Sequence, residues 1–289
     1  MPELPEVETL RRELNKALKN KKIISTKVLW PKTIKPLSVR QFKQQTKDKT
    51  IKNVHRQAKI LIINLTSSDS LVFHLKMTGQ LIYHSANFNS IIVGGHPNPK
   101  DEAHLPNNHT RLIINFSDHS TLFFNDLRKF GWVKLVNNLE LQDLTKHLGV
   151  EPLSKFFTNK FLTELFKKYP NRTLKQILLD QTLIAGIGNI YADESAFATG
   201  ILPNSKINTI KPTKTKKLQQ EIVKILELSI KMKGTSSRNY RRSNGELGGF
   251  VPYLNVYGRA KQPCKVCGTP IEKIKHAGRG THFCPKCQK

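Results

Sequence analysis

The sequence contains no apolar run approaching the ~20 residues that a membrane-spanning helix requires, and its first residues show no secretory leader pattern. Neither membrane insertion nor export is expected. Acids are scarce, with 21 Asp and Glu against 48 Lys and Arg, a formal net charge of +27 at pH 7. That is far more than solubility needs, and the resulting field selects a polyanion as partner. With nothing suited to entering a bilayer, nucleic acid is favoured over an anionic membrane surface. Cysteine is scarce too, with four in 289 residues. This excludes a disulfide scaffold and points to a reducing, intracellular compartment. All four lie in residues 264–287 as two Cys-x-x-Cys pairs, a metal-binding pattern. The length suffices for two modest domains, each with its own core, or one large one.

What is present falls into three stretches. Met1-Pro2-Glu3-Leu4-Pro5-Glu6 leads into Val7, Leu10, Leu14 and Leu18 at helical spacing. A helix starting near Pro5 is predicted, because a proline N–H would have no partner at a first helical position and Glu6 and Glu8 complement the positive helix end. Pro2 and Glu3 therefore lie just ahead of a helix N-terminus. From about Ile23 to Val136 come β-rich runs at 60–65, 71–75, 80–83, 111–116, 121–125 and 132–136, separated by polar turns. Such spacing fits a mostly antiparallel sandwich or barrel. Residues 85–108, rich in Asn, Pro, Gly and His, read as a long exposed loop. His96, Asp101, His104 and nearby His109 lack ligand spacing and read as solvated side chains rather than a metal site. After Glu151-Pro152 the pattern turns helical over 161–169, 174–181, 192–199 and 214–232, with a Gly-containing turn at 182–191. Residues 205–289 hold 19 Lys and Arg against 4 acids, a net +15, so contact with a polyanion is concentrated there.

Cys264-x2-Cys267-x16-Cys284-x2-Cys287 can close a tetrahedral zinc site entirely with sulfur. No position is left for water or substrate, so one structural zinc is expected and the chemistry lies elsewhere. Between the pairs, Lys273, Lys275, His276 and Arg279 form a basic cluster that reads either as a phosphate contact or as a solvated face. Met1 precedes a small residue, so aminopeptidase removal would expose the secondary amine of Pro2. A terminal amine titrates near pH ~8 and keeps an appreciable neutral fraction at physiological pH, unlike a lysine. It can attack a sugar aldehyde carbon. The iminium that results acidifies the neighbouring C–H bond and permits phosphate elimination without a metal. Taken alone, a proline at position 2 is more often only a processed start.

Six motifs supply the context. Residues 1–9, Gln57-Ala58-Lys59, His74-Leu75-Lys76-Met77-Thr78-Gly79, Asp126-Leu127-Arg128-Lys129-Phe130-Gly131, Gly186 to Glu194 and the four cysteines occur in order. With them the sequence resembles the formamidopyrimidine-DNA glycosylase and endonuclease VIII family over essentially its whole length. The resemblance implies an α+β fold of two domains. An N-terminal catalytic β-sandwich with a leading helix would span 1–138, a helix-two-turn-helix DNA-binding domain with a lesion-recognition loop 139–258, and a four-cysteine zinc finger 259–289.

It also implies base-excision repair of oxidised purines, 8-oxoguanine and formamidopyrimidines, in duplex DNA. The abasic strand would then be cut by β,δ-elimination. By resemblance, Pro2 forms a Schiff base with C1′ and Glu3 is the general acid at the sugar. Lys59 contacts phosphate and assists β-elimination, and Arg279 grips phosphate and donates a proton in δ-elimination. Met77, Arg128 and Phe130 would fill the gap left by the flipped base. Asn189 would bind backbone phosphate at a helix start. His109 and Arg172 fall near DNA contacts of the family, and Glu6 and Glu194 correspond to buried carboxylates that organise the site. The expected partner is duplex DNA carrying oxidised bases or abasic sites, bound by a monomer in the cytoplasm, on a bacterial-type nucleoid.

Leu4 and the segment from Gly234 to Gly249 favour the purine enzyme over the endonuclease VIII type. In the latter the first residues usually run Pro-Glu-Gly-Pro-Glu. That segment's Ser, Asn and Gly residues suit a loop closing over a flipped base, with Arg238, Arg241 and Arg242 near phosphate. A rival from another class is a non-catalytic zinc-finger architectural protein, against which intact Pro2, Glu3 and Lys59 argue.

Overall fold

The computed structural model describes residues 1–87, 91–95, 104–235 and 249–289. Two compact units form, one from Met1–Lys146 with Met232–Gly249, the other from His147–Lys231 with Phe250–Lys289. The segment 236–248, with Arg238, Arg241 and Arg242, and the positions His96 and Asp101 lie outside the described residues.

The first unit begins with α1 (Leu4–Leu18), which puts Pro5 in its first turn and Glu3 at the N-cap. The start is thus one residue earlier than predicted. Strands β1 (Ile23–Val28), β2 (Ile51–Gln57), β3 (Ile60–Leu65), β4 (Asp69–His74), β5 (Gly79–His84), β6 (Ile91–Gly95), β7 (Thr110–Phe116), β8 (Thr121–Asp126) and β9 (Trp132–Asn137) follow. They form two sheets, of order β1-β7-β8-β5-β6 and β2-β3-β4-β9. Every described pairing within them is antiparallel. One apolar cluster joins Leu10, Leu14 and Leu18 of α1 to Val54, Leu61, Ile63 and Phe73 of one sheet and Leu81, Leu112, Ile114 and Phe124 of the other. The sandwich is thereby closed over a single core, with the helix as part of its wall.

Besides β1 and β2, which fall outside the β-rich runs read from the sequence, three elements depart from the sequence expectations. The 85–108 stretch is not a continuous loop, because β6 lies inside it and pairs with β5 from His84↔Ile91 to Gln80↔Gly95. Its β-branched Ile91, Ile92 and Val93 outweigh the surrounding Asn, Gly and Pro. The β-rich stretch also contains α2 (Val39–Thr46), whose buried face consists of Phe42 and Thr46 alone. Finally, α3 (Asn138–Thr145) follows β9, with Thr145 as its buried residue. Both helices start with a capping box, Ser38 with Gln41 and Asn137 with Glu140. Such a box satisfies end N–H groups locally, so a short helix with little apolar periodicity can still form.

The second unit contains α4 (Asn159–Lys168), α5 (Leu174–Leu179), α6 (Asn189–Thr199) and α7 (Pro212–Lys231), followed by the hairpin β10 (Glu272–His276) and β11 (Arg279–Phe283). In α6, Tyr191 through Ala196 are all buried, so this helix is surrounded by protein rather than amphipathic. Val256, Cys264, Ile271 and Cys284 form a small core under the hairpin, with Phe197 packed against it. Among the described residues no helix is long and apolar enough to cross a membrane.

Candidate active site and nucleic-acid contacts

Pro2, Glu3 and Lys59 are all buried, Glu3 at 3% and Lys59 at 5% exposure. Lysine is almost never buried without a specific reason, so Lys59 is not a solvated side chain at a strand edge. Hydrogen bonds to Glu6 anchor the start of the chain. Glu6 Oε2 accepts the Glu3 N–H at 2.9 Å, anchoring the residue after Pro2. The other oxygen of Glu6 accepts from the Thr235 N–H and hydroxyl, each at 2.9 Å. Gly234 makes this approach possible, since a Cβ there would stand 2.9 Å from Glu6 Oε1 and its φ is +88°. Glu6 therefore ties the Glu3 backbone to Thr235, but it is half-buried, not the buried carboxylate that the resemblance implied.

Lys59 sits in a two-residue turn, with Gln57 paired to Ile60 across it. Across the sheet, Ile60 faces His74. The His74 ring accepts the Lys76 N–H through Nδ1 at 3.0 Å. Burial, with the charges of Lys76 and Lys59, holds the His74 pKa down to about 3. His74 is neutral at physiological pH and adds no positive charge beside Lys59.

Met77, Arg128 and Phe130 are carried by two neighbouring loops, β4–β5 and β8–β9. The sheets place them together, since His74 pairs with Trp132 and Gly79 with Asp126. Asp126 joins the loops through the Thr78 hydroxyl and the Gly131 N–H at 2.6 Å. Thr78 also accepts the Arg128 N–H at 3.0 Å. Phe130 is 55% exposed and the Arg128 guanidinium lies 4.8 Å above its ring. An exposed Phe beside an exposed Arg suits insertion between bases better than core packing, the alternative for an isolated Phe. His109 is at the same end of the sandwich, its carbonyl accepting the Asp126 N–H at 2.8 Å. Asp126 and Thr78 stood in the motifs but had no assigned role. Arg111, which donates to the Asp126 and Asn108 carbonyls at 2.9 Å each, went unnoticed.

In the second unit, Asn189 opens α6 and donates through Nδ2 to the Gly280 carbonyl at 3.0 Å. Lys175 reaches the same carbonyl at 3.2 Å. Gly280 follows Arg279, which leaves the β10–β11 turn at Ala277-Gly278, where both residues have positive φ, as a tight hairpin turn requires. Asp193, one turn into α6, pairs with Lys175 at 2.6 Å and accepts the His282 N–H at 2.9 Å. Lys175 and Asp193 side chains are both 0% exposed. Removing either partner of such a pair costs about 3–5 kcal/mol, whereas an exposed pair is worth about 0–1. The pair therefore acts as a strut between α6 and the strand carrying Arg279. Lys273, Lys275 and Arg279 are exposed. His276 is not part of this basic face, because its Nε2 lies 2.8 Å from the Thr173 hydroxyl at the start of α5. Burial, with the charge of Lys175, also lowers its pKa. Arg172 is engaged internally, with Asp180 at 2.9 Å and the Gln176 carbonyl at 3.2 Å. Glu194 accepts the N–H groups of Asn255, Val256 and Tyr257 at 2.8–2.9 Å and so holds the segment entering the finger.

The four cysteine sulfurs lie within 4.8 Å of one another, with Cys264 and Cys287 3.9 Å apart and Cys267 and Cys284 3.5 Å apart. Tetrahedral zinc at a Zn–S distance of about 2.3 Å places sulfurs about 3.8 Å apart, so the donor set fits the ion. Thr269 hydrogen bonds lower the Cys267 thiol to about 6. The hydrogen bond with Cys267, then burial, pushes Cys287 up to about 12. Four thiolates this close require a cation to be ionised together. The cluster holds a structural zinc ion that frames the hairpin.

Residues 1–133 match the family described as Formamidopyrimidine-DNA glycosylase N-terminal domain, 148–241 the Formamidopyrimidine-DNA glycosylase H2TH domain, and 261–289 the zinc finger found in FPG and IleRS. A formamidopyrimidine-DNA glycosylase of Pelotomaculum thermopropionicum is 40% identical over 291 residues, covering 100% of this chain and 99% of the relative. A variant of the Lactococcus lactis FPG protein, solved with DNA containing Fapy-dG, superimposes with TM-score 0.87 at 35% identity, covering 100% of both chains. The wild-type Lactococcus lactis protein, solved with DNA containing an oxidised pyrimidine, gives 0.86 at 34% identity, again over 100% of both chains. Sequence, fold and zinc centre agree over the whole length, and the chain belongs to the formamidopyrimidine-DNA glycosylase family.

Proposed function

We propose that the protein is a bifunctional base-excision enzyme that releases oxidised purines from duplex DNA and then cuts the abasic strand by β,δ-elimination through an imine on Pro2. The observation that carries this reading is the burial of Pro2, Glu3 and Lys59 in one unit. A buried lysine and a buried carboxylate at these motif positions suit a site that tunes ionisable groups, which a protein that merely coats DNA does not need. With Met1 removed, the neutral Pro2 amine attacks C1′ and the base departs with the electrons of the N-glycosidic bond. Glu3 protonates O4′ as the ring opens, leaving the C1′ iminium. Loss of the C2′ proton then expels the 3′ phosphate, with Lys59 at that phosphate. Arg279 supports loss of the second phosphate, and Asn189 grips the backbone. Met77, Arg128 and Phe130 occupy the space vacated by the flipped nucleotide.

Arg279→Ala is expected to weaken duplex binding and to reduce the slope of log affinity against log salt by about one unit. Titration at several salt concentrations checks this, and an unchanged slope would remove Arg279 from the phosphate ligands.

Leu4 supports the purine preference, as does the relative solved with Fapy-dG DNA. The relative bound to an oxidised pyrimidine favours a second, broader reading in which both lesion types are accepted. Excision and strand cleavage on duplexes carrying 8-oxoguanine, formamidopyrimidine, thymine glycol or an abasic site separate them. The proposal expects all but thymine glycol to be processed efficiently. Faster removal of thymine glycol than of 8-oxoguanine would refute the purine assignment.

A further inference from the structure

We propose that Arg56 is a positioning residue for Lys59, locking the turn that carries Lys59 to the first turns of α1, which Pro2 and Glu3 precede. The inference rests on the reading that Pro2, Glu3 and Lys59 perform the lyase chemistry. Arg56 lies near the end of β2 and its guanidinium forks between two elements. Nε donates to Glu8 Oε2 on α1 at 3.2 Å, and Nη1 donates to the Ala58 carbonyl at 2.8 Å. The side chains of Arg56 and Glu8 are 10% and 12% exposed. Arg56 therefore cannot reach a phosphate without abandoning both partners.

The turn needs such a hold. Ala58 immediately precedes Lys59 and has φ +50°, a conformation that a residue with a Cβ adopts only against strain. Arg56 grips the carbonyl of that residue, which fixes the peptide leading into Lys59. Its other anchor is well prepared. Burial works against the charge on Glu8, but hydrogen bonds from Arg11 and Arg12 and the charges of Arg11 and Arg56 outweigh it, so the carboxyl titrates below its ordinary value. Glu8 stays anionic at neutral pH. A second tether, from the Val54 N–H to Asn15 at 2.8 Å, together with the shared core, holds α1 to β2 without Arg56. Losing the fork should therefore loosen the turn and not the fold.

Lysine keeps the charge of arginine but, as a single ammonium group, cannot reproduce the planar fork. Arg56→Lys is expected to slow single-turnover β-elimination on an abasic duplex about tenfold. Affinity for a duplex with a non-cleavable abasic analogue should stay within about twofold. If Arg56 acts through Lys59, the two substitutions are non-additive, and Arg56→Lys should change the rate little in a Lys59→Ala background. Glu8→Gln weakens the same anchor while leaving Arg56 present. It should give a smaller loss in the same step, and it carries the test if Arg56→Lys fails to fold. Fully additive losses, a parallel fall in affinity, or a normal elimination rate in the variants would overturn the proposal. Failure of wild-type protein to become attached to abasic DNA under borohydride, or of Lys59→Ala to slow elimination, would instead overturn the lyase reading beneath it.

Discussion

Replacement of Pro2 by glycine is expected to leave duplex affinity within about twofold while reducing the rate of borohydride trapping on abasic DNA by at least roughly a hundredfold, about 2.7 kcal/mol of transition-state stabilisation. Two physical differences produce the loss. A secondary amine gives an iminium with a permanent charge, whereas the imine of a glycine amine must first be protonated to withdraw electrons. The pyrrolidine ring also fixes the orientation of the nitrogen about the N–Cα bond just ahead of Glu3, whose N–H is held by Glu6, so the nucleophile enters the site on a rigid lever. Glycine gives that lever freedom. A retained Met1 or an added N-terminal tag should have a comparable effect, because the amine of Pro2 is then acylated. Trapping kinetics and equilibrium binding on the same duplex check the separation between chemistry and affinity.

Cys267→Ser is expected to empty the metal site and weaken binding to every duplex, damaged or not. Structural zinc contributes on the order of 10–16 kcal/mol to the folding of zinc-finger peptides, far more than the small apolar cluster around Val256 and Ile271 can replace. Lys273, Lys275 and Arg279 would lose their fixed positions together. If each neutralises one phosphate, affinity should fall by roughly a hundredfold or more at moderate salt. The core of the first unit contains no residue of the finger, and its thermal transition should persist. Zinc content, duplex affinity and melting curves form the test, and metal-free protein binding normally would contradict the role given to the finger.

Much of this was legible locally. The Leu10, Leu14 and Leu18 spacing marked α1, and the two Cys-x-x-Cys pairs marked the metal. The motif order marked Pro2, Lys59, Met77, Arg128 and Phe130 as the residues on which the proposed function rests. Residues 91–93 were hidden because Asn, Pro, Gly and His on either side diluted a three-residue β-branched run. The capping boxes at Ser38 and Asn137 were readable, yet their helices bury so few residues that apolar period gave no prompt. The struts were not readable at all. Arg56 meets Glu8 across 48 positions, and Lys175 meets Gly280 across 105. No local pattern distinguishes such an arginine or lysine from the many others in a chain of net charge +27. Asp193 lies inside a motif, but its buried partners come from α5 and β11, and only the fold brings them to it.

The most direct test of the central claim is to locate the covalent bond itself. Wild-type protein with Met1 removed is incubated with abasic duplex DNA and borohydride, digested with protease and nuclease, and the modified peptide sequenced by mass spectrometry. The account predicts one adduct, on the nitrogen of Pro2 at the start of the N-terminal peptide, and none when Met1 is retained. An adduct on Lys59 or another lysine, or equal trapping with Met1 in place, would contradict it.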